Sequence, residues 1–132
     1  MKKTKTQVNF KDARGEIRDL ITHTPVDAVT LITCVKGAIR GNHYHKKTTQ
    51  YDYILSGALT CVSKDMKSGK QTRTLLKAGD VAMHPPYEAH AFEAVQRSVF
   101  LSLTKGPRNG ADYENDTIRL EEPLIAPKKP RK

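Results

Sequence analysis

Two histidines separated by a single residue, His43 and His45, open the chemistry of this chain. On a β-strand, where side chains alternate between faces, both imidazoles project to the same side and can chelate one ion. After a polar break at Lys46–Thr49, Gln50, Asp52 and Ile54 share one face of the next strand, while Tyr51, Tyr53 and Leu55 share the other. Gln50 is thereby a candidate third group opposite the histidine pair. Roughly forty residues further on, the string GDVAMHPPYEAH runs from a Gly-Asp turn through a strand to a Pro-Pro corner, with His84 before the corner, Glu88 after it, and His90 opening the following strand. Asp52 is either a hydrogen-bond partner that orients a ligand histidine or a general base tuned by burial and a nearby ion.

The elements that must position these groups read as strands. From Val8 to Leu120 short apolar runs alternate with turn residues, and no long segment has helical period, which predicts an all-β barrel or sandwich with few helices. Expected strands are 7–10, 28–34, 37–43, 51–56, 58–64, 72–77, 81–84, 90–94 and 99–104, divided by turn signals such as Lys36-Gly37, Ser56-Gly57, Ala78-Gly79-Asp80 and Pro85-Pro86. Residues 14–22 fit either a short helix or a further strand. The organisation expected is an N-terminal arm (1–15), a barrel (16–106) and a C-terminal extension (107–132) that ends in a flexible basic tail.

Two spaced motifs resemble a known family. Gly37, His43, His45, Gln50 and Gly57 follow the spacing of cupin motif 1, and Gly79, Pro85, Tyr87 and His90 follow motif 2, which implies a cupin-type double-stranded β-helix, the jelly-roll barrel. The resemblance implies a divalent metal on His43, His45, Gln50 and His90. Gln50 stands where the family usually has Glu, and Tyr87 where motif 2 has Gly. An amide oxygen is a neutral, weaker ligand, so the ion would be held less tightly, and the donor set suits Zn, Fe, Ni, Mn or Cu without choosing among them.

Further strings narrow the resemblance to nucleotide-sugar cupins. The opening NFKDARGEIRDL, the stretch Arg40-Gly41-Asn42-His43-Tyr44-His45-Lys46 with Gln50, and Ala111-Asp112-Tyr113 are similar to the dTDP-4-keto-6-deoxyhexose 3,4-ketoisomerases; the Arg-Gly-Asn-His-Tyr-His string also resembles the zinc-binding cupin half of capsular-polysaccharide reductases. By that likeness His43 and His45 supply acid and base for moving a proton beside a sugar ketone, and Arg40 pairs with diphosphate or steers the substrate. Those ketoisomerases work without metal, and a ligated imidazole has no lone pair left to act as base. With metal bound, the base must come from Asp52, Tyr53, His84 or Glu88, with Tyr53 and Glu88 also placed as substrate contacts. Three functions follow as expectations: isomerisation or epimerisation of a keto sugar, metal-dependent oxygenase chemistry, or ligand binding without turnover.

The bulk properties set the remaining bounds. A chain of 132 residues with 37% apolar and 28% charged residues suits one domain with a real core and has no apolar run long enough to span a membrane. Its net charge of +9 is spread along the chain and concentrated at the ends, without the interleaved aromatics of a single-strand nucleic-acid reader, so the expected partner is an anionic small molecule, phosphorylated or nucleotide-linked. Cys34 and Cys61 each lie in an apolar β-rich run and read as small buried hydrophobes rather than a disulfide. The N-terminus shows no apolar signal segment, which places the protein in the cytoplasm, and small cupins suggest a homodimer by analogy.

Overall fold

The computed structural model describes residues 1–127; the basic tail beyond Pro127 lies outside the described residues. Among them are the strands β1 (Lys2–Lys5), β2 (Val8–Asp12), β3 (Gly15–Arg18), β4 (Ala28–Cys34), β5 (Ile39–His45), β6 (Thr49–Ser56), β7 (Ala58–Asp65), β8 (Gln71–Lys77), β9 (Asp80–His84), β10 (Glu88–Ala94), β11 (Ser98–Lys105) and β12 (Thr117–Arg119), with one short helix, α1 (Gly110–Asp116). Two five-stranded antiparallel sheets form, β1-β9-β6-β11-β4 and β12-β5-β10-β7-β8, and β2 and β3 make a separate ribbon. This is the all-β architecture expected from the strand pattern, and the jelly-roll barrel that the motif resemblance implies. No helix among the described residues is long and apolar enough to cross a membrane.

Alternation along the strands decides what fills the space between the sheets. Along β11, Ser98, Phe100, Ser102 and Thr104 are buried while the residues between them are half-buried. Ile54 pairs with Phe100, Asp52 with Ser102 and Gln50 with Thr104, so β6 and β11 share an inner face that passes from apolar to polar at the same level. The opposite sheet makes the same transition, with Ala94 and Phe92 at one end of β10 and His90 towards the other. The apolar end is closed by a core of Cys34, Ile54, Leu59, Cys61, Leu76, Ala82, Phe92, Ala94 and Phe100. Both cysteines are free and buried. Burial pushes the Cys61 thiol up to about 12, so it stays protonated and inert.

The chain ends depart from the expected division. Lys2–Lys5 pairs with β9 as an edge strand, and the boundary expected at Gly15 falls inside the β2–β3 ribbon, where Asp12 pairs with Gly15. Residues 15–18 resolve the ambiguity of the 14–22 segment in favour of a strand. Thr117–Arg119 hydrogen-bonds onto β5, so this part of the expected extension belongs to the barrel sheet. A charged four-residue strand, a three-residue strand and a seven-residue helix are too short to carry a readable periodicity.

Candidate functional site

The histidines sit on β5 and β10, and an irregularity in the pairing of those strands aims them. His43 pairs with His90 and Gly41 with Ala91, leaving Asn42 as an extra residue in a β-bulge. Gly41 has φ +88°, and a Cβ there would lie 2.7 Å from the carbonyl oxygen of His90, so the close approach of β5 to β10 requires glycine. Asn42 takes φ 60°, a conformation asparagine tolerates better than most residues. Its Oδ1 accepts from the backbone N–H groups of Leu124 (2.8 Å) and Ile125 (3.2 Å), and its Nδ2 donates to the Ile125 carbonyl at 2.9 Å. The C-terminal segment is thereby fastened to the bulge that presents His43.

Motif 2 has a special position of its own. Tyr87 lies at φ 64°, where its relatives' glycine would be unstrained, and its backbone N–H donates to the His45 carbonyl at 2.8 Å. The departure noted in the sequence therefore retains the left-handed backbone with a bulky side chain, whose ring packs 5.8 Å from that of Tyr44.

His43, His45 and His90 converge. Ring centroids are 4.9 Å apart for His43–His45 and His43–His90, and 5.9 Å for His45–His90. One nitrogen of each lies within 4.8 Å of the others. Burial holds all three imidazoles below their ordinary range: to about 4 for His43, with the neighbouring His45 adding to the effect, and well below 6.5 for His90. All three are neutral near pH 7, the state that ligates a metal or accepts a proton.

The tautomer of His45 follows from its partners. The Thr117 hydroxyl donates its one proton to the Tyr113 carbonyl at 3.0 Å, so towards His45 Nδ1, 3.2 Å away, it can only accept. Asp116 Oδ2 lies 3.6 Å from the same nitrogen. Nδ1 therefore carries the hydrogen and Nε2 the lone pair. Gln50 turns its amide nitrogen to both oxygens of Asp52, at 3.0 and 2.9 Å, which leaves its oxygen as the atom free to face His45. Both ring nitrogens of His90 are buried without a hydrogen-bond partner. Three neutral imidazoles, each with one lone pair to offer and one nitrogen near the others, suit a cation, so the residues present fit a divalent metal.

Behind this cluster lies a second histidine environment. His84, 1% exposed, has Nε2 3.2 Å from Asp52 Oδ2 and Nδ1 3.5 Å from Glu88 Oε1. Hydrogen bonding and charge attraction to both carboxylates act together on the ring. Burial alone would push the His84 imidazole down; the two carboxylates outweigh it and the net direction is up. Glu88 also meets the amino group of Met1.

A cavity of about 300 Å³ opens over the three histidines. His43, His45 and His90 line it with Gln50 and Arg40; Thr30, Ser102 and Thr104 supply hydroxyls from β4 and β11, and Arg108 and Tyr113 stand beside them. Asp52, Tyr53, His84 and Glu88 are absent from its lining, as are all other carboxylates among the described residues. Tyr53 alternates with Gln50 and Asp52 on β6, so its placement as a catalytic or substrate contact is not matched by the geometry. Asp52, His84 and Glu88 form the buried group behind the cavity instead. Arg108 and Tyr113 enter the cavity without a motif of their own; the Ala111-Asp112-Tyr113 string is the sequence signal that points to this region.

Fold and site together define a jelly-roll barrel with one packed end and, at the other, a histidine-lined cavity. The sequence profile of the cupin family matches residues 22–116. The chain belongs to the cupin family. Comparison with curated protein sequences finds no match. Among solved structures it is similar to the dTDP-4-dehydrorhamnose 3,5-epimerase of Sulfolobus tokodaii (TM-score 0.74, 22% identity, covering 87% of this chain and 73% of that one). It is also similar to a sugar 3,4-ketoisomerase from Thermoanaerobacterium thermosaccharolyticum in complex with TDP (0.74, 21%, 91% and 88%). A capsular polysaccharide assembling protein from Staphylococcus aureus matches over 89% of this chain and 33% of its own length (0.65, 19%). At these identities the likeness establishes the fold.

Proposed function

We propose that this cupin isomerises or epimerises a keto sugar carried on a nucleotide, with His43 as the base that takes the proton beside the ketone. The observation that carries this reading is a neutral His43 in a cavity that has two guanidinium groups and no carboxylate in its lining. Such a cavity selects an anion, and negative charge brought in with the substrate raises His43 from about 4 towards the working range of a general base. The oxyanion that develops on the substrate needs a donor, and Thr104, buried and with an unpartnered hydroxyl on the facing strand, can supply one. The candidates Asp52, Tyr53, His84 and Glu88 do not line the cavity, so among the described residues the histidines are its only side-chain bases of ordinary strength. The likeness to an epimerase and to a sugar 3,4-ketoisomerase supports the same reaction class.

A second reading is favoured by the unpartnered nitrogens of His90. His43, His45 and His90, with the Gln50 oxygen, would hold a divalent transition metal, Zn, Fe, Ni, Mn or Cu, which would supply Lewis-acid polarisation of a ligand oxygen. In that state His43 is not a free base. Deuterium uptake from D2O into a dTDP-4-keto-6-deoxy sugar, followed by NMR alongside elemental analysis, separates the two. The expected result is exchange that survives chelation and falls by about 10²- to 10⁴-fold in His43→Ala. Exchange that disappears with chelator supports the metal reading, and no exchange at all removes the isomerase.

We further propose a homodimer. β4 is an edge strand without charge or proline, and Val29, Leu31 and the adjacent Val35 are more than half exposed, as are Phe10 and Ile17 on the ribbon. Light scattering that gives a monomer mass would exclude this assembly.

A further inference from the structure

The cavity has two guanidinium groups, and the structure treats them differently. Arg40, the arginine of the Arg-Gly-Asn-His string, is engaged by β4. Its Nε donates to Cys34 Sγ at 3.3 Å and its Nη2 to the Thr33 carbonyl at 2.9 Å. A planar guanidinium presents its donors in a fixed fork, so these contacts commit much of the side chain to tying β5 to the edge of the opposite sheet. Arg108, in the turn between β11 and α1, has one long contact, Nη2 to Thr30 Oγ1 at 3.4 Å, and lies over the Tyr113 ring with its central carbon 4.9 Å from the centroid. A guanidinium resting on an aromatic face keeps its edge N–H groups available for bidentate bonds to an oxyanion.

We infer that Arg108, seated on Tyr113, is the anion-recognition residue of this cavity, and that it binds the phosphate or diphosphate of the ligand while Arg40 serves as a tie between the sheets. The inference rests on the anionic-substrate part of the proposed function and names the residue that would select it. Distances agree with this role. The Tyr113 ring lies 6.0 Å from His45, so an anion on Arg108 sits one short step from the histidines. The element that carries Tyr113 also holds the histidine side of the site. Asp116, at the end of α1, accepts from the Lys47 backbone N–H at 2.6 Å and the Thr48 hydroxyl at 2.5 Å, and Thr117 follows it onto His45. One short segment thus connects the anion contact to the tautomer of His45. A merely structural Arg108 would have closer protein partners than a 3.4 Å hydroxyl.

Calorimetric titration of the full chain with inorganic pyrophosphate and with thymidine diphosphate tests this, using wild type, Arg108→Ala, Arg108→Lys and Arg40→Ala, each with its thermal unfolding curve. Arg108→Ala should weaken binding of both probes by about 10- to 100-fold without lowering the unfolding temperature, since a charge-assisted bidentate contact is lost. Arg108→Lys should recover only part of the loss, because a lysine keeps the charge and not the fork. Arg40→Ala should lower the unfolding temperature and weaken binding by the folded fraction clearly less than Arg108→Ala does, since it removes a cavity charge but not the bidentate contact.

Wild-type affinity in Arg108→Ala overturns the inference, as does wild type binding neither probe. A loss for thymidine diphosphate alone would assign Arg108 to the nucleoside rather than the diphosphate and would also overturn it. Arg108-dependent binding without any proton exchange on keto sugars leaves the inference standing and removes the isomerase. Exchange that is indifferent to Arg108→Ala in both rate and substrate affinity does the reverse.

Discussion

His84 and His90 are neighbours with the same burial and opposite electrostatics. Each is 1% exposed, and their ring centroids are 4.5 Å apart. His84 sits between the carboxylates of Asp52 and Glu88, which raise it against its burial. His90 faces His43, His45 and His84, with no acid against it, and is driven well down. Residue type and depth are therefore poor guides to charge here; what decides it is which strand neighbours carry carboxylates. The barrel keeps its acids behind the cavity and its neutral imidazoles within it. The arrangement leaves the cavity positive at Arg108 and Arg40, and without a fixed negative charge that would repel an anionic ligand.

The largest expected effect comes from breaking the charged side of this comparison. His84→Leu leaves Asp52, fully buried, and Glu88 without their shared cation, and should destabilise by about 3–5 kcal/mol, measured by urea unfolding near pH 6. A loss under 1 kcal/mol would mean that His84 is neutral and the contrast with His90 false. The pH dependence sharpens the same point. In metal-free protein His43 titrates near 4 when folded and near 6.5 when unfolded, so the unfolded state binds more protons between these values. Stability is unaffected by this group above pH 6.5, falls as pH drops through that window, and levels off below about 4, with a slope of up to about 1.4 kcal/mol per pH unit per titrating ring. His84, raised in the fold, acts oppositely: its contribution is complete below 6.5 and fades as pH rises through its folded pKa. Unfolding curves of chelated wild type and His43→Asn across pH 4–7 should show the acid-side slope reduced in the variant; equal slopes would place the loss elsewhere.

The period of two made one layer of this site legible. Two-residue spacing puts His43 with His45 and Gln50 with Asp52, and it puts Tyr53 on the other face of β6, away from the cavity. His90 was found through motif spacing. What a linear pattern does not show is how far inward a residue lies along its strand. Asp52, two residues from Gln50, is one step deeper and belongs to the layer behind the cavity, where it meets His84 from β9, which in turn meets Glu88 from β10. Position 42 reads as one more strand residue, and only the pairing of β5 with β10 reveals it as a bulge. Arg108 and Tyr113 lie in a polar segment whose helix lasts seven residues, too short for periodicity to announce it. Their role depends on how that segment folds back over the barrel mouth, which is tertiary information.

The neutral side of the comparison gives the smallest change and the less intuitive sign. Both nitrogens of His90 are buried and unpartnered, and each such group carries a desolvation cost that leucine, of similar size, does not. The ring contacts with His43, His84 and Phe92 are largely those of packing, which an apolar side chain replaces in part. His90→Leu should therefore stabilise the chelated protein by about 1 kcal/mol while reducing metal uptake severalfold, since it removes one of three convergent imidazoles. Gain in stability with loss of the cluster is the signature of a residue retained for chemistry at the expense of the fold. A destabilisation of about 2 kcal/mol or more would show that the nitrogens have partners in solution, such as ordered water, and that His90 belongs with His84 among the groups that hold the barrel together.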